Sequence, residues 1–336
     1  MKIIWKVIII IIIVGLILAT IGLATGASRT LFLDRRGVHV GDGEINEVSE
    51  LDLVPFKNIH VDVGLCDIEL VSSDKYGIHL IGRDMKWSWS VENDVLSITH
   101  DKTTRVQIVD FGILSGPRNC VTVYLPENVV LEQIYLKSGS GDIELGNLQA
   151  DRIEISNSFG NVDMNSITSD YLSADISSGR FTGMSLKTQT LIYNNRFGDG
   201  NFQAVSADYI NAESNSGKMH FTNCEFKDAT ISNSFGDIIA TGLISSKSNI
   251  KASSGDIKIS GDLSGETVLH TDFGSINLTM PRDKEVYSYD ISVKFGSITF
   301  DGQRLRDQSA LTSGTTMENH LKLSSSSGDI KVSFES

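Results

Sequence analysis

Cysteine is scarce in this chain of 336 residues: there are three, Cys66, Cys120 and Cys224, and no two share a CxxC or any zinc-ligand spacing. A disulfide framework is therefore excluded, and the thiols read as small buried hydrophobes. Proline is scarce too for this length, at four, which leaves no Pro-rich linker. The seven histidines stand singly, with no HExxH and no pair at ligand spacing. There is no GxSxG elbow and no phosphate-binding loop of the Walker type, so no cofactor and no catalytic residue is named by motif. Basic residues number 29 against 42 acidic ones, a net charge of -13. A body of that sign repels nucleic-acid phosphate and anionic headgroups, which excludes nucleic acid as a partner and leaves cations or basic partners open.

Beyond residue 27 no segment sustains a helical period. The single long apolar run lies at the N-terminus, where Val7 to Ala24 carries no charge. Eighteen such residues match the length that crosses a hydrocarbon core as a helix and exceed the apolar part of a cleaved leader. Residues 1–27 are accordingly expected to be a transmembrane anchor, or an uncleaved signal, that makes the membrane a partner of the chain. Basic residues flank both sides of the run, so charge does not set its orientation. Residues 28–50, polar and weakly periodic, read as a juxtamembrane linker.

What is present is alternation. From Leu51 to about residue 130, runs such as NIHVDVGLCDIELV, WSWSV, DVLSITH and VTVYLP show period-two patterning bounded by turn residues, the mark of short strands. From Leu131 to the C-terminus the alternation becomes a repeat. Gly141, Gly160, Gly179, Gly198, Gly217, Gly236, Gly255 and Gly274 recur with an unbroken period of 19, and further copies stand at Gly296 and Gly328. Fixed-period similarity of this size is the signature of a solenoid whose modules bury their apolar faces only by stacking. Three apolar columns are expected to point inward: two and four residues after the glycine (Ile143 and Leu145 in the first copy), five before it (Leu136), and seven after it, where Cys224 falls. The residue after the glycine is mostly Asp or Asn, a turn former rather than a calcium ligand, because the calcium-roll consensus is absent and Arg180 and Lys218 occupy the same position. The residue before it alternates between serine and phenylalanine, so a period of 38 overlies that of 19. Either each 19-residue module makes one coil, or two modules together do, with phenylalanine stacked on phenylalanine as a ladder.

Trp87 and Trp89, two apart on one strand face, are the weak candidates for a binding site. Paired aromatics stack on sugars or on a protein partner, and equally cover the flank of a sheet. Carboxylates on neighbouring coils are compatible with acid–base chemistry, but sequence does not establish their proximity.

The stretches NIHVDVGLCDIELVSS, VENDVLSITH and VTVYLPENVVLEQIYLKSGSGDIEL, with the serial SGD and SFG modules, resemble the bacterial adhesin-like domain family of unknown function, over about residues 55 to 336. The resemblance implies an all-β, right-handed β-helix-like fold, a cytoplasmic N-terminus, an extracytoplasmic body at the cell membrane and, for some members, a link to envelope stress. It assigns no catalytic residue. The function expected is that of a non-enzymatic envelope surface module that binds an envelope protein or glycan. The alternatives are a carbohydrate-active β-helix enzyme acting on cell-wall glycans, and a scaffold that self-assembles through open solenoid ends.

Overall fold

The computed structural model describes residues 44–101, 118–305, 309–313 and 317–335, three strands at 30–34, 37–40 and 106–110, and scattered positions between 5 and 20. Those scattered positions are helical, but no helix among the described residues is long and apolar enough to cross a membrane. Most of the expected anchor, 1–27, lies outside the described residues. The segment read as a linker contains strands instead. Thr30–Asp34 pairs antiparallel with Gly37–Val40 and Val106–Asp110, and Ile45–Leu51 pairs antiparallel with Gly77–Arg83. The NEVSEL sequence alternates too weakly to be read as a strand, and its partner supplies the order.

From Val130 onward the chain is a stack of parallel strands. Ile143 lies opposite Val162, Val162 opposite Phe181 and Phe181 opposite Gly200, so neighbouring strands are offset by one period of the repeat. Phe159 consequently lies opposite Ser178, and Ser178 opposite Phe197. The phenylalanines alternate with serines and do not stack on one another. Within a coil the ladder skips Asn147, Asp151 and Ser158, and these breaks separate the faces. Asn147, Ser166, Ser185, Ala204 and Asn223 occupy one such break in the left-handed region, at φ between 52° and 58°. Asparagine tolerates that region readily, and Ser166, Ser185 and Ala204 adopt it as single residues between strand segments.

The core fills the inside of the stack. All three expected columns are buried, Cys224 with them, and a further column lies seven residues before the glycine, at Ile153, Leu172, Leu191 and Ile210. Bulk is balanced between coils. Gly200 lies beside Phe181 two residues after the glycine, and Gly183 beside Phe202 four residues after it, on the same inward column. A Cβ on Gly200 would stand 2.7 Å from the Tyr193 hydroxyl, and one on Gly183 would stand 2.7 Å from Leu186 Cδ1. Two glycines thus make room for the buried cluster of Phe181, Tyr193, Phe202 and Phe221, in which Phe202 and Phe221 stack with centroids 4.7 Å apart. Interiors tolerate volume changes only when a neighbour compensates.

Both ends depart from the simple stack. At the start, Asn58–Leu65 and Asp67–Ser73 form the first coil and pair with strands much later in the chain, Val61 with Leu136 and Ile68 with Ile143. Asn58–Leu65 is covered by Val95–His100 and the antiparallel Trp87–Glu92. Asp67–Ser73 is covered by Cys120–Pro126, then Gly77–Arg83. At the finish the chain doubles back: Asn319–Ser327 sits between Glu266–Phe273 and Tyr287–Phe295, so the last coil in sequence is the penultimate one in space. Antiparallel strands Gln303–Leu305 and Ala310–Thr312 cover the outermost coil. Both ends are thus covered in part by short or antiparallel strands: Ala310–Thr312 pairs with Asp290–Ser292 of the outermost coil, and Ile45–Leu51 and Trp87–Glu92 are the outer strands at the start.

Candidate functional site

The corner at the glycine is the most regular polar feature. At Gly160 φ is +129°, and an added Cβ would stand 2.2 Å from the carbonyl oxygen of Gly141; at Gly236, φ is +144° and the distance to Gly217 O is 2.0 Å. Only glycine fits a backbone so close to the coil before it. The following Asp or Asn reaches across to the next coil. Asp142 Oδ1 accepts from Asn161 N at 2.7 Å, Asn161 Oδ1 from Arg180 N at 3.1 Å and Asp237 Oδ1 from Asp256 N at 3.1 Å. In four of the five coils that carry phenylalanine, the residue three before the glycine is a buried polar one, Asn157, Asn195, Asn233 or Thr271; in the fifth it is Val293. Asn157, Asn195 and Asn233 donate Nδ2 to the glycine carbonyl one coil back, at 3.0, 2.9 and 2.8 Å. The repeated Gly-Asp is thus occupied with backbone, and among the described residues no group of His, Cys, Asp and Glu is arranged to hold a metal ion. Lys218 beside Asp237, together with the Asp256 amide, holds the Asp237 carboxyl below its ordinary value.

The same corner exists in the first coil without a glycine. Leu65, Cys66 and Asp67 take the places of Ser140, Gly141 and Asp142: Leu65 lies opposite Ser140, and Asp67 Oδ1 accepts from Asp142 N at 2.9 Å. Cys66 is buried, with Sγ 3.7 Å from Met85 Sδ, and burial pushes its thiol up to about 12. All three cysteines are free.

One face of the first coils brings carboxylates together. Glu69 lies opposite Glu144, and Glu144 opposite Asp163, on strands about 4.8 Å apart. Partial burial, and then the charges of Glu69, Asp163, Asp142 and Asp67, push the Glu144 carboxyl above its ordinary value. The three acids line an open groove of about 360 Å³ whose floor includes Leu70, Met164 and Met184. A second hollow of about 310 Å³ adjoins it, lined by Asp67, Arg118 and Cys120 among others, with Arg118 Nη1 at 3.9 Å from Asp67 Oδ2. Such a face attracts cationic groups and repels anionic ones. Sequence reasoning did not reach it because Glu69 lies far ahead of the repeat along the chain and only strand pairing sets it beside Glu144. The available signal was the match between LCDIEL and SGDIEL.

Trp87 and Trp89 are half-buried on the Trp87–Glu92 strand and packed against the core. Trp87 Nε1 donates to Asn46 O at 3.4 Å, and its ring meets His100 edge-on, with centroids 5.9 Å apart. Neither indole lines the acidic groove.

A stack of parallel coils with a filled interior defines a β-solenoid-like domain. The chain belongs to the Toastrack DUF4097 family, whose sequence model matches residues 56–333. No curated protein matches the chain. Among solved structures it is similar to a "putative adhesin" from Bacteroides fragilis, at 19% identity and TM-score 0.43, over 70% of this chain and 97% of that one. A "putative cell adhesion protein" from Clostridium sporogenes matches at 10% identity and TM-score 0.23, over 87% and 100%. A "putative adhesin" from Parabacteroides distasonis matches at 14% identity and TM-score 0.35, over 71% and 98%.

Proposed function

We propose that this protein is a non-enzymatic binding scaffold of the cell envelope, held at the membrane by residues 1–27 with its body outside. In this reading each coil is one 19-residue module, wound right-handed, and recognition uses the lateral surface. The observation that carries it is the use of the residues: core columns and corner ladders absorb most of the repeated side chains, and the acid-lined hollow is an open groove rather than an enclosed pocket. The partner is an envelope protein or glycan that offers cationic groups to the Glu69, Glu144 and Asp163 face. The test is crosslinking on living cells followed by partner identification, with Glu69→Gln/Glu144→Gln/Asp163→Asn as the control. Partners that the triple variant no longer captures support the reading, and an unchanged set removes the groove from it. For topology, a cysteine introduced at Ser72 should react with an impermeant thiol reagent on intact cells; labelling only after lysis overturns the extracytoplasmic placement.

A carbohydrate-active enzyme is the second reading, favoured by the raised Glu144 beside two further carboxylates, an arrangement that can divide acid from base. It requires release of reducing ends from purified cell-wall glycans, lost in Glu144→Gln. Absence of release with retained binding rejects it.

A further inference from the structure

The corner residues before the glycines form one column along the whole stack. In spatial order it runs Leu65, Ser140, Phe159, Ser178, Phe197, Ser216, Phe235, Ser254, Phe273, Ser327, Phe295. Bulky and small alternate without a break, and the alternation survives both irregular ends. In sequence Phe273 is followed by Phe295, and the two would be neighbours if the coils stacked in chain order. The inserted last coil puts Ser327 between them. At the other end, Leu65 takes the bulky place in a coil that lacks the glycine. Every bulky member faces solvent: Leu65 is 63% exposed, the phenylalanines 57–68%. Large apolar side chains in a contiguous exposed row mark an interaction surface.

We infer that this column is the face by which two copies of the chain pack side by side, the rings of one entering the serine gaps of the other. Three observations select a second copy as the occupant. The first is period: bulky residues recur every second coil, about 9.6 Å, and a partner that fills all the gaps must carry the same period over about 48 Å, ten coil spacings. Another solenoid of this kind does so by construction. The second is the width of a gap. Phe202 and Phe221, on adjacent coils inside the stack, show that rings one coil apart stack at 4.7 Å; a serine gap is therefore wide enough for one ring, and interdigitation restores that spacing, which lies within the favourable range for aromatic pairs. The third is area. With on the order of 200 Å² per aromatic side chain and about three-fifths of each exposed, the six residues offer about 700 Å² per copy, close to the ~800 Å² per partner of a stable interface. Most residues beside the column leave room for close approach, Gly139, Ser158, Ser177, Asn215, Ser234 and Ser253 being small or uncharged, while Arg196, Asp272 and Lys294 put charges beside Phe197, Phe273 and Phe295, with Lys294 Nζ 5.7 Å from the Phe295 ring centroid. This inference does not depend on what the acidic groove binds, because it concerns the corner column alone.

The experiment is sedimentation of the full chain in nonionic detergent over a hundredfold range of concentration, for the wild type and two variants. Phe197→Ser/Phe235→Ser removes two central rings, and Ser178→Phe/Ser216→Phe fills two central gaps. The wild type is expected to dimerise, and both variants to dimerise about 100-fold more weakly, with circular dichroism unchanged because the substituted sites face solvent. The gap-filling variant separates interlocking from general stickiness: a surface made more apolar would associate more strongly, whereas blocked gaps weaken association. A monomeric wild type, stronger association of the gap-filled variant, or association unchanged in both variants overturns the inference. So does loss of insoluble-glycan binding in Phe197→Ser/Phe235→Ser with a monomeric wild type, which would assign the column to a sugar polymer instead.

Discussion

Residues 141–263 and the two ends of the molecule use the same corner but reach it by different routes. In the central stretch, each strand finds its partner one repeat further along, and the sequence period sets the register directly. At the ends, Val61 pairs with Leu136 and Phe273 with Ser327, several times more distant along the chain. Those contacts close long loops before any burial rewards them, so they depend on a stack already present. Yet the ends keep the coil-to-coil details of the centre. Asp67 and Asp329 each accept an amide from the neighbouring coil, as Asp142 does, and a Cβ at Gly296 would meet Gly328 O at 2.1 Å. Geometry at the corner is thus conserved within the molecule even where chain order is not.

The sharpest way to break this comparison is at the corner. Gly236→Ala places a Cβ against Gly217 O and should cost more than about 4 kcal/mol, enough to abolish folding. Gly302→Ala, at φ +77° in a hairpin with open space around it, should cost about 1 kcal/mol from backbone conformation alone. Urea denaturation measures both, and similar losses would refute the steric account. Next in size, Ile257→Ala in the repeat and Ile98→Ala at the N-terminal end, both fully buried, should each cost about 3 kcal/mol. If the two regions form one cooperative unit, both substitutions shift a single transition. A split transition would assign them separate stabilities.

Smaller again, Asp237→Ala removes the acceptor for the Asp256 amide and should cost about 1 kcal/mol, while Asp237→Asn keeps most of that. The folded state holds this carboxyl below its ordinary 3.8. Its contribution is complete above that pH and lost as pH falls through the lowered folded value, so wild type and Asp237→Asn should converge in acid. Smallest is Glu144→Gln. Folding raises this carboxyl above its ordinary 4.5, so ionised Glu144 opposes folding once pH has risen through the raised value, and the penalty vanishes below about 4. Because the side chain is largely exposed and screened, the gain at neutral pH should be about 0.3 kcal/mol and should shrink with salt. A loss of stability in this variant would show that Glu144 has a partner in the fold.

Much of the central stack was legible because glycine recurs at a fixed spacing and strand periodicity assigns faces. Ile143, Leu145 and Cys224 fall where those two rules put them. Leu65-Cys66-Asp67 was not legible as a corner because it lacks the glycine that marks one. The strands Thr30–Asp34, Gly37–Val40 and Ile45–Leu51 were not legible because weak alternation gains strand character only from a partner strand. The proximity of Glu69, Glu144 and Asp163 required knowing that the first coil stacks on the one containing Gly141.

The sequence by itself determined the period, the inward columns and the serine–phenylalanine alternation, because each follows from local spacing and side-chain size. Only the tertiary structure decided that phenylalanine faces serine rather than phenylalanine, that the last coil inserts before the penultimate one, and that the column of rings lies outside. Those are matters of which distant strand completes a hydrogen-bonded edge, and a strand's open edge specifies that a partner is needed without specifying where in the chain it lies.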